Sequence, residues 1–422
     1  MEYKKTKLNN GLTVITIPMK NSPSVTVMTL VKTGSEYETK EQNGISHFLE
    51  HMCFKGTEKR PRPLDIAIET DSMGSISNAF TSTEWTNYFI KSHSKHAEKV
   101  LDIVSDIYLN STLPSEEIEK ERGVIIEEIN MYEDYLPAKV QFVLMELMYG
   151  NQPAGRSIVG PKENIKSISR EDFIEYRKKH YVASATTVVV AGDFGEAIVV
   201  QKIENLFSGI STGDKSLKQK VTEAQTEPAL KIHTKESDQT HICIAIRTFD
   251  AHDKRNTTLK VLVSVLSGGM SGRLWRKLRE EMGACYYVHA QTEEATDHGF
   301  LAISSGIDLN RIEEITLAII AELNRFKNEI ISEEELKKAK DYAIGGMYLD
   351  LESSNDVARY YANQDAIGVP IITPEELADK MQQITAQDIQ NLAKEIFVDE
   401  SLNMAVVGNI KDDSNLKKIL HF

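Results

Sequence analysis

His47, Glu50 and His51 fall within five consecutive residues of the run Gly44-Ile-Ser-His-Phe-Leu-Glu-His-Met52. On a helix, His47 and His51 are one turn apart and leave the same face, so both imidazoles can bind a single zinc ion. Glu50 lies beside His51 near that face, placed to reach a water on the metal rather than the metal itself. The order His-x-x-Glu-His inverts the arrangement His-Glu-x-x-His and is one of the spacings found at zinc hydrolase sites. Asn43 or Gly44 can begin the helix, Ile45, Phe48, Leu49 and Met52 give it an apolar stripe, and Lys55-Gly56 ends it. The same stripe suits a plain buried helix with hydrogen-bonded histidines, and these residues alone leave both readings open.

A catalytic zinc needs a third protein ligand and an open position. The obvious donors lie in Glu121-Arg-Gly-Val-Ile-Ile-Glu-Glu-Ile129, where Glu121 and Glu128 are seven apart and share a helix face. A solvated acidic helix face is the bland alternative.

The elements that must position these residues are written twice. The segment from Ile168, ISREDFIEYRKKHYVASATTVVVAGDF, aligns without a gap with the segment from Ile384, ITAQDIQNLAKEIFVDESLNMAVVGNI. Each reads as a capped helix, a short turn and an apolar strand, and Gly192 falls on Gly408. Ser115-Glu-Glu-Ile and Ser332-Glu-Glu-Glu open a second matched pair of helices, one residue from that register. In both, a serine can cap free N–H groups while acidic residues sit at the positive end of the helix dipole. Two homologous domains are expected, at 1–207 and 230–422, joined by a polar linker at 208–229. Neither half alternates strands and helices regularly. The expected class is α+β, each domain a mainly antiparallel β-sheet packed with helices. In the register of that second helix pair Glu128 falls on Gly345 and Glu121 on Lys338, and the second half has no His-x-x-Glu-His. A polar set kept in one copy and lost from the other suits a functional site better than a core requirement common to both.

The totals narrow the class. A chain of 422 residues with 41% apolar and 27% charged residues is that of a globular protein with room for two cores. Its 49 Lys and Arg against 63 Asp and Glu, net charge −14, provide no electrostatic footprint for nucleic acid. Three cysteines without CxxC spacing argue against a disulfide framework. No apolar run suggests a signal peptide or a membrane span, and a cytoplasmic location is the expectation.

With these residues in hand, the chain resembles the pitrilysin/insulinase family of zinc metallopeptidases, in its short, mitochondrial-processing-peptidase-like branch, over essentially its whole length. The resemblance implies one Zn²⁺ per chain on His47, His51 and Glu128, with Glu50 as the catalytic base and Glu121 supporting the site; Glu127 becomes the ligand if the register slips by one. It makes SNAFTSTEWTNYF a substrate-binding edge strand with Asn78, Ala79 and Phe80 beside the metal; a plain amphipathic strand is its bland reading. In SGGMSGRLWRKLREEMGACYY it makes Arg279 and Tyr286 the pair that engages substrate near the scissile bond; otherwise they would be a helix surface charge and a core strand residue. It further implies unfolded peptide substrates and a homodimer, since one chain carries both the zinc set and the Arg/Tyr pair. The competing class is a non-catalytic partner subunit that keeps the fold and lends its second half to another chain.

Overall fold

β-branched residues dominate Thr13–Pro18, Ser24–Val31 and Thr186–Gly192, side chains that fit a pleated surface. In the computed structural model, which describes residues 1–410 and 414–422, all three are strands. Together with three others they form a sheet of β1 (Lys4–Lys7), β2 (Thr13–Pro18), β3 (Ser24–Val31), β4 (Ile76–Thr81), β5 (Thr86–His93) and β6 (Thr186–Gly192). The order is β1-β2-β6-β3-β5-β4, antiparallel except for β2 with β6. The inner strands are buried and β4 is an edge. β6 ends at Gly192 with φ 131°, where a Cβ would stand 2.4 Å from the Ser24 carbonyl oxygen, so only glycine fits.

The second sheet contains β7 (Ala229–Thr234), β8 (Thr240–Arg247), β9 (Cys285–Glu294), β10 (Gly299–Ile307) and β11 (Leu402–Gly408) in the order β7-β11-β8-β10-β9. Again one pair, β7 with β11, is parallel and the rest are antiparallel. The aligned segments fold alike. Helix Arg170–His180 opens with a Ser169–Asp172 capping box and leads into β6; helix Ala386–Ile396 opens with a Thr385–Asp388 capping box and leads into β11.

The chain separates into two compact units that cut it differently from the expected halves. The first is Met1–Asn130, Arg156–Gln219 and Asp350–Thr373; the second is Met131–Gly155, Lys220–Leu349 and Pro374–Phe422. Each borrows a helix from the other half of the sequence. In the second unit Ile242, Ile244 and Ile246 of β8 face one apolar cluster while Cys243 and Ala245, alternating with them, face another built on helix Leu136–Tyr149. A sheet that is apolar on both faces needs cover on both, and the borrowed helix provides the second layer. The stretch between helix Glu196–Leu206 and β7 has no regular structure from 211 to 226, yet Lys218 within it is buried in the first unit against Glu36 (2.5 Å) and Glu84 (2.8 Å). No helix among the described residues is long and apolar enough to cross a membrane.

In the first unit the borrowed helix, Ser354–Ala366, is locked by charge. Asp365, 1% exposed, meets Lys5 at 2.5 Å, Lys32 at 2.8 Å and the Thr187 hydroxyl at 2.6 Å. Burial alone would raise its pKa; the two lysines and the hydroxyl outweigh burial and lower it. Asp365→Ala leaves Lys32 and Thr187 without that partner, and the expected loss is about 2–4 kcal/mol, less than for a fully dry pair because Lys5 is half exposed. A fall in the urea midpoint checks it. Because the folded pKa is depressed, Asp365 contributes stability above the unfolded-chain value and loses it as pH falls through the folded one. The wild-type advantage over Asp365→Ala should therefore vanish in acid.

Candidate metal centre

The motif helix is short, Ile45–Met52: it begins directly after Gly44, as expected, but ends three residues before Lys55, because 53–55 continue as turn and bend. Its inner face is the predicted stripe of Ile45, Phe48, Leu49 and Met52, all fully buried. Phe48 packs edge-on against Phe173 at 4.9 Å, and the Ser46 hydroxyl bonds to Tyr176 Oη at 2.7 Å. Gly44 is the N-cap, with φ 102°; a Cβ there would come within 2.9 Å of the Val159 carbonyl oxygen. With no side chain on the cap residue, the free N–H groups are met from elsewhere. Glu38, fully buried, accepts from Gly44 N–H through Oε2 and from Ser46 N–H through Oε1, both at 2.8 Å, and from Asn43 Nδ2 at 2.8 Å.

On the other face the two imidazoles lie 4.6 Å apart, ring centre to ring centre. Helix Ser115–Asp134 presents Glu128 to both: its Oε2 is 3.5 Å from His47 Nε2 and 3.7 Å from His51 Nε2. Three donors on a tetrahedral ion with bonds of about 2.0–2.1 Å stand roughly 3.3–3.4 Å from one another. The two distances to Glu128 are within a few tenths of an ångström of that, all three atoms lie within 4.8 Å of one another, and two imidazoles with one carboxylate are a donor set that zinc accepts. The residues therefore fit the metal. Glu127, the alternative for a slipped register, is exposed and accepts a hydrogen bond from Asn130 Nδ2 at 3.3 Å.

Glu121, one face back, meets His51 Nδ1 at 2.9 Å through Oε1 and Lys55 Nζ at 2.5 Å through Oε2. Burial would raise Glu121; the partners His51 and Lys55 overcome burial and hold its pKa low. An ionised Glu121 accepts the Nδ1 proton of His51 and turns the Nε2 lone pair toward Glu128 and His47, the orientation a metal ligand needs. Burial works against protonation of His51, but the Glu121 hydrogen bond and the charges of Glu50, Glu121 and Glu128 raise its pKa. His47 has no such support: its Nδ1 is buried without a hydrogen-bond partner among the described residues.

Glu50 is buried, and the Thr81 hydroxyl donates to its Oε2 at 2.7 Å. Burial raises its pKa, opposed by that hydrogen bond and by the neighbouring imidazoles. Thr81 ends β4, so the helix and the sheet edge are tied at the carboxylate. Asn78, Ala79 and Phe80 lie on the same edge strand: Asn78 Oδ1 accepts from the Ala79 N–H at 2.9 Å, and Phe80 packs edge-on to Trp85 at 5.0 Å. In the second unit Arg279, on a π-helical stretch Trp275–Glu281, donates to the Cys285 carbonyl at 2.7 Å and lies 5.6 Å from the Tyr286 ring centre. Tyr286, at the start of β9, is 76% exposed. Sequence reading missed Glu38, Lys55 and Thr81. Lys55 is four residues after His51, one turn on, and could have been read; Glu38 and Thr81 carry no local signal.

Two family models match the chain: the insulinase peptidases, family M16, over residues 13–162, and the domain described as the peptidase M16 inactive domain over 167–342. An uncharacterized zinc protease of Bacillus subtilis (strain 168) is 32% identical over 401 residues, covering 94% of this chain and 96% of its own. The Bos taurus mitochondrial-processing peptidase subunit beta is 29% identical, covering 99% and 86%. Among solved structures, a protease from Helicobacter pylori superposes with a TM-score of 0.91 at 22% identity, covering 96% of this chain and 99% of that one. Fold and family models together define a two-unit peptidase architecture. The chain belongs to the insulinase family, peptidase family M16, and to its short branch, which resembles mitochondrial-processing peptidase.

Proposed function

We propose that the chain is a zinc-dependent endopeptidase that hydrolyses unfolded peptides, working as a homodimer. The observation that carries this reading is the convergence of His47 Nε2, His51 Nε2 and Glu128 Oε2 within 4.8 Å of one another, with the buried Glu50 carboxylate beside them. Zinc bound to that set, one ion per chain, would polarise a scissile carbonyl and lower the pKa of a water. Glu50 is the proton carrier: Thr81 holds Oε2, and Oε1 takes a proton from the attacking water and delivers it to the departing amine nitrogen. Its raised pKa brings it nearer neutrality, where a base can both accept and release. The β4 edge holds an extended peptide through backbone N–H and C=O groups at Asn78, Ala79 and Phe80, largely regardless of sequence. Tyr286, with Arg279, donates to the oxyanion and positions the chain; in the homodimer, the partner's second half supplies that pair. A non-catalytic partner subunit is disfavoured by the retention of all four residues of the set, His47, Glu50, His51 and Glu128.

Purified protein is expected to contain one zinc per chain and to cleave a quenched, unstructured peptide. Chelation should abolish cleavage and added zinc restore it. A protein that stays metal-free and inactive in excess zinc would overturn the reading and leave the partner-subunit role.

A further inference from the structure

The first unit has a cleft of about 600 Å³ that shares no residue with the metal-type set. It is built from the C-terminal end of helix Ala97–Asn110, the loop that follows it, and one face of helix Arg170–His180. Arg170 and Arg177, two turns apart on that helix, are half-buried in its wall. Neither pairs with a carboxylate among the described residues. Arg177 donates from Nη1 to the Ser111 carbonyl and from Nη2 to the Tyr108 carbonyl, both at 2.8 Å. Arg170 donates from Nε to the Leu113 carbonyl at 2.8 Å and from Nη2 to the Thr112 carbonyl at 3.1 Å. Holding consecutive carbonyls, Ser111 and Thr112, the two guanidiniums are neighbours.

A guanidinium has five N–H donors, and each of these spends two on the loop. The carbonyls fix the forks in place without neutralising them; the helix end contributes only about half a negative charge. Lys178 also lines the cleft, exposed and with no ion pair among the described residues, and Glu58 is the one carboxylate in the lining. In a chain of net charge −14 this is a local excess of cation. The loop is itself held in a costly shape: Leu113, whose carbonyl Arg170 grips, has φ 50°, the left-handed region that disfavours a branched side chain.

We propose that this cleft binds a phosphate group, free or as a phosphomonoester, between the unspent donors of Arg170 and Arg177, with Lys178 at the rim. A dianion matches two fixed guanidiniums, and fork geometry suits phosphate oxygens. The cleft volume leaves room for an organic moiety beyond the phosphate. The proposal does not depend on the peptidase reading.

The test uses full-length protein stripped of metal, so that phosphate has no zinc to bind. Inorganic phosphate and phenyl phosphate are titrated by calorimetry and by thermal shift, against chloride at matched ionic strength. Saturable binding is expected, weakened about tenfold or more by Lys178→Glu, which is exposed and should leave the unliganded melting temperature unchanged, and also by Arg177→Met. Tighter binding of the ester than of inorganic phosphate would assign the site to a phosphorylated molecule; equal or weaker binding would assign it to the free ion. No saturable binding of either probe at millimolar concentration, or binding that both variants leave intact, overturns the proposal.

Discussion

Glu50→Gln should leave one zinc per chain bound and lower the rate of peptide hydrolysis by about 10³-fold, within the range that general acid–base groups contribute. The substitution keeps the shape. Its amide oxygen can still accept the Thr81 hydroxyl proton, now 2.7 Å from Oε2, so the helix stays tied to the end of β4. What the amide lacks is the ability to take a proton from water and pass it to the leaving nitrogen. Zinc content and kcat on a quenched peptide, measured on the same preparation, separate the possible outcomes. Full activity would remove Glu50 from the mechanism. Loss of zinc along with activity would recast it as a structural support of the site.

The second large effect is expected far from the reacting atoms in sequence, at Glu38. Its two carboxylate oxygens meet three donors at the start of the motif helix, Gly44 N–H, Ser46 N–H and Asn43 Nδ2. No local residue can replace it, because the cap position must be glycine. Glu38→Ala leaves those donors buried and unmatched, at about 1–3 kcal/mol each before relaxation, so a net loss of about 3–5 kcal/mol is expected. That is a large fraction of the stability of a typical domain. Zinc affinity should fall with it, since His47 and His51 ride on that helix. Burial pushes the Glu38 pKa up from its ordinary 4.5 to about 7, against the pull of Asn43, Ser46 and Gly44. The folded protein therefore keeps a proton that the unfolded chain releases between those two values. The contribution of this group is fully present below pH 4.5, declines as pH rises, and levels off above about 7. Urea midpoints of wild type and Glu38→Gln at several pH values check this: the wild-type advantage should shrink across that window. Parallel profiles would mean that Glu38 does not titrate there.

The residues that converge were legible because their spacing is helical. His47 and His51 at i and i+4, and Glu121 and Glu128 at i and i+7, share faces by the 3.6-residue turn alone. The repeat was legible too, since capped helices and glycine-ended strands are local patterns; both aligned segments fold as the same elements. Composition offered no electrostatic footprint for nucleic acid, and the lack of regular strand–helix alternation pointed to mainly antiparallel sheets.

Other features depended on chain paths that no window of sequence contains. Helix Leu136–Tyr149 covers a sheet whose strands all come later in the chain, and helix Ser354–Ala366 is locked by Asp365 to Lys5 and Lys32. Glu38 caps a helix whose own cap has no side chain, and Thr81 reaches Glu50 from the end of an edge strand. Periodicity determines which residues share a face of one element, because backbone geometry is local. Which element then meets that face is decided by burial of both sides of each sheet, a property of the folded chain as a whole. The sequence by itself thus determined which residues share the two helix faces; the tertiary structure decided that those faces meet and what holds them in register.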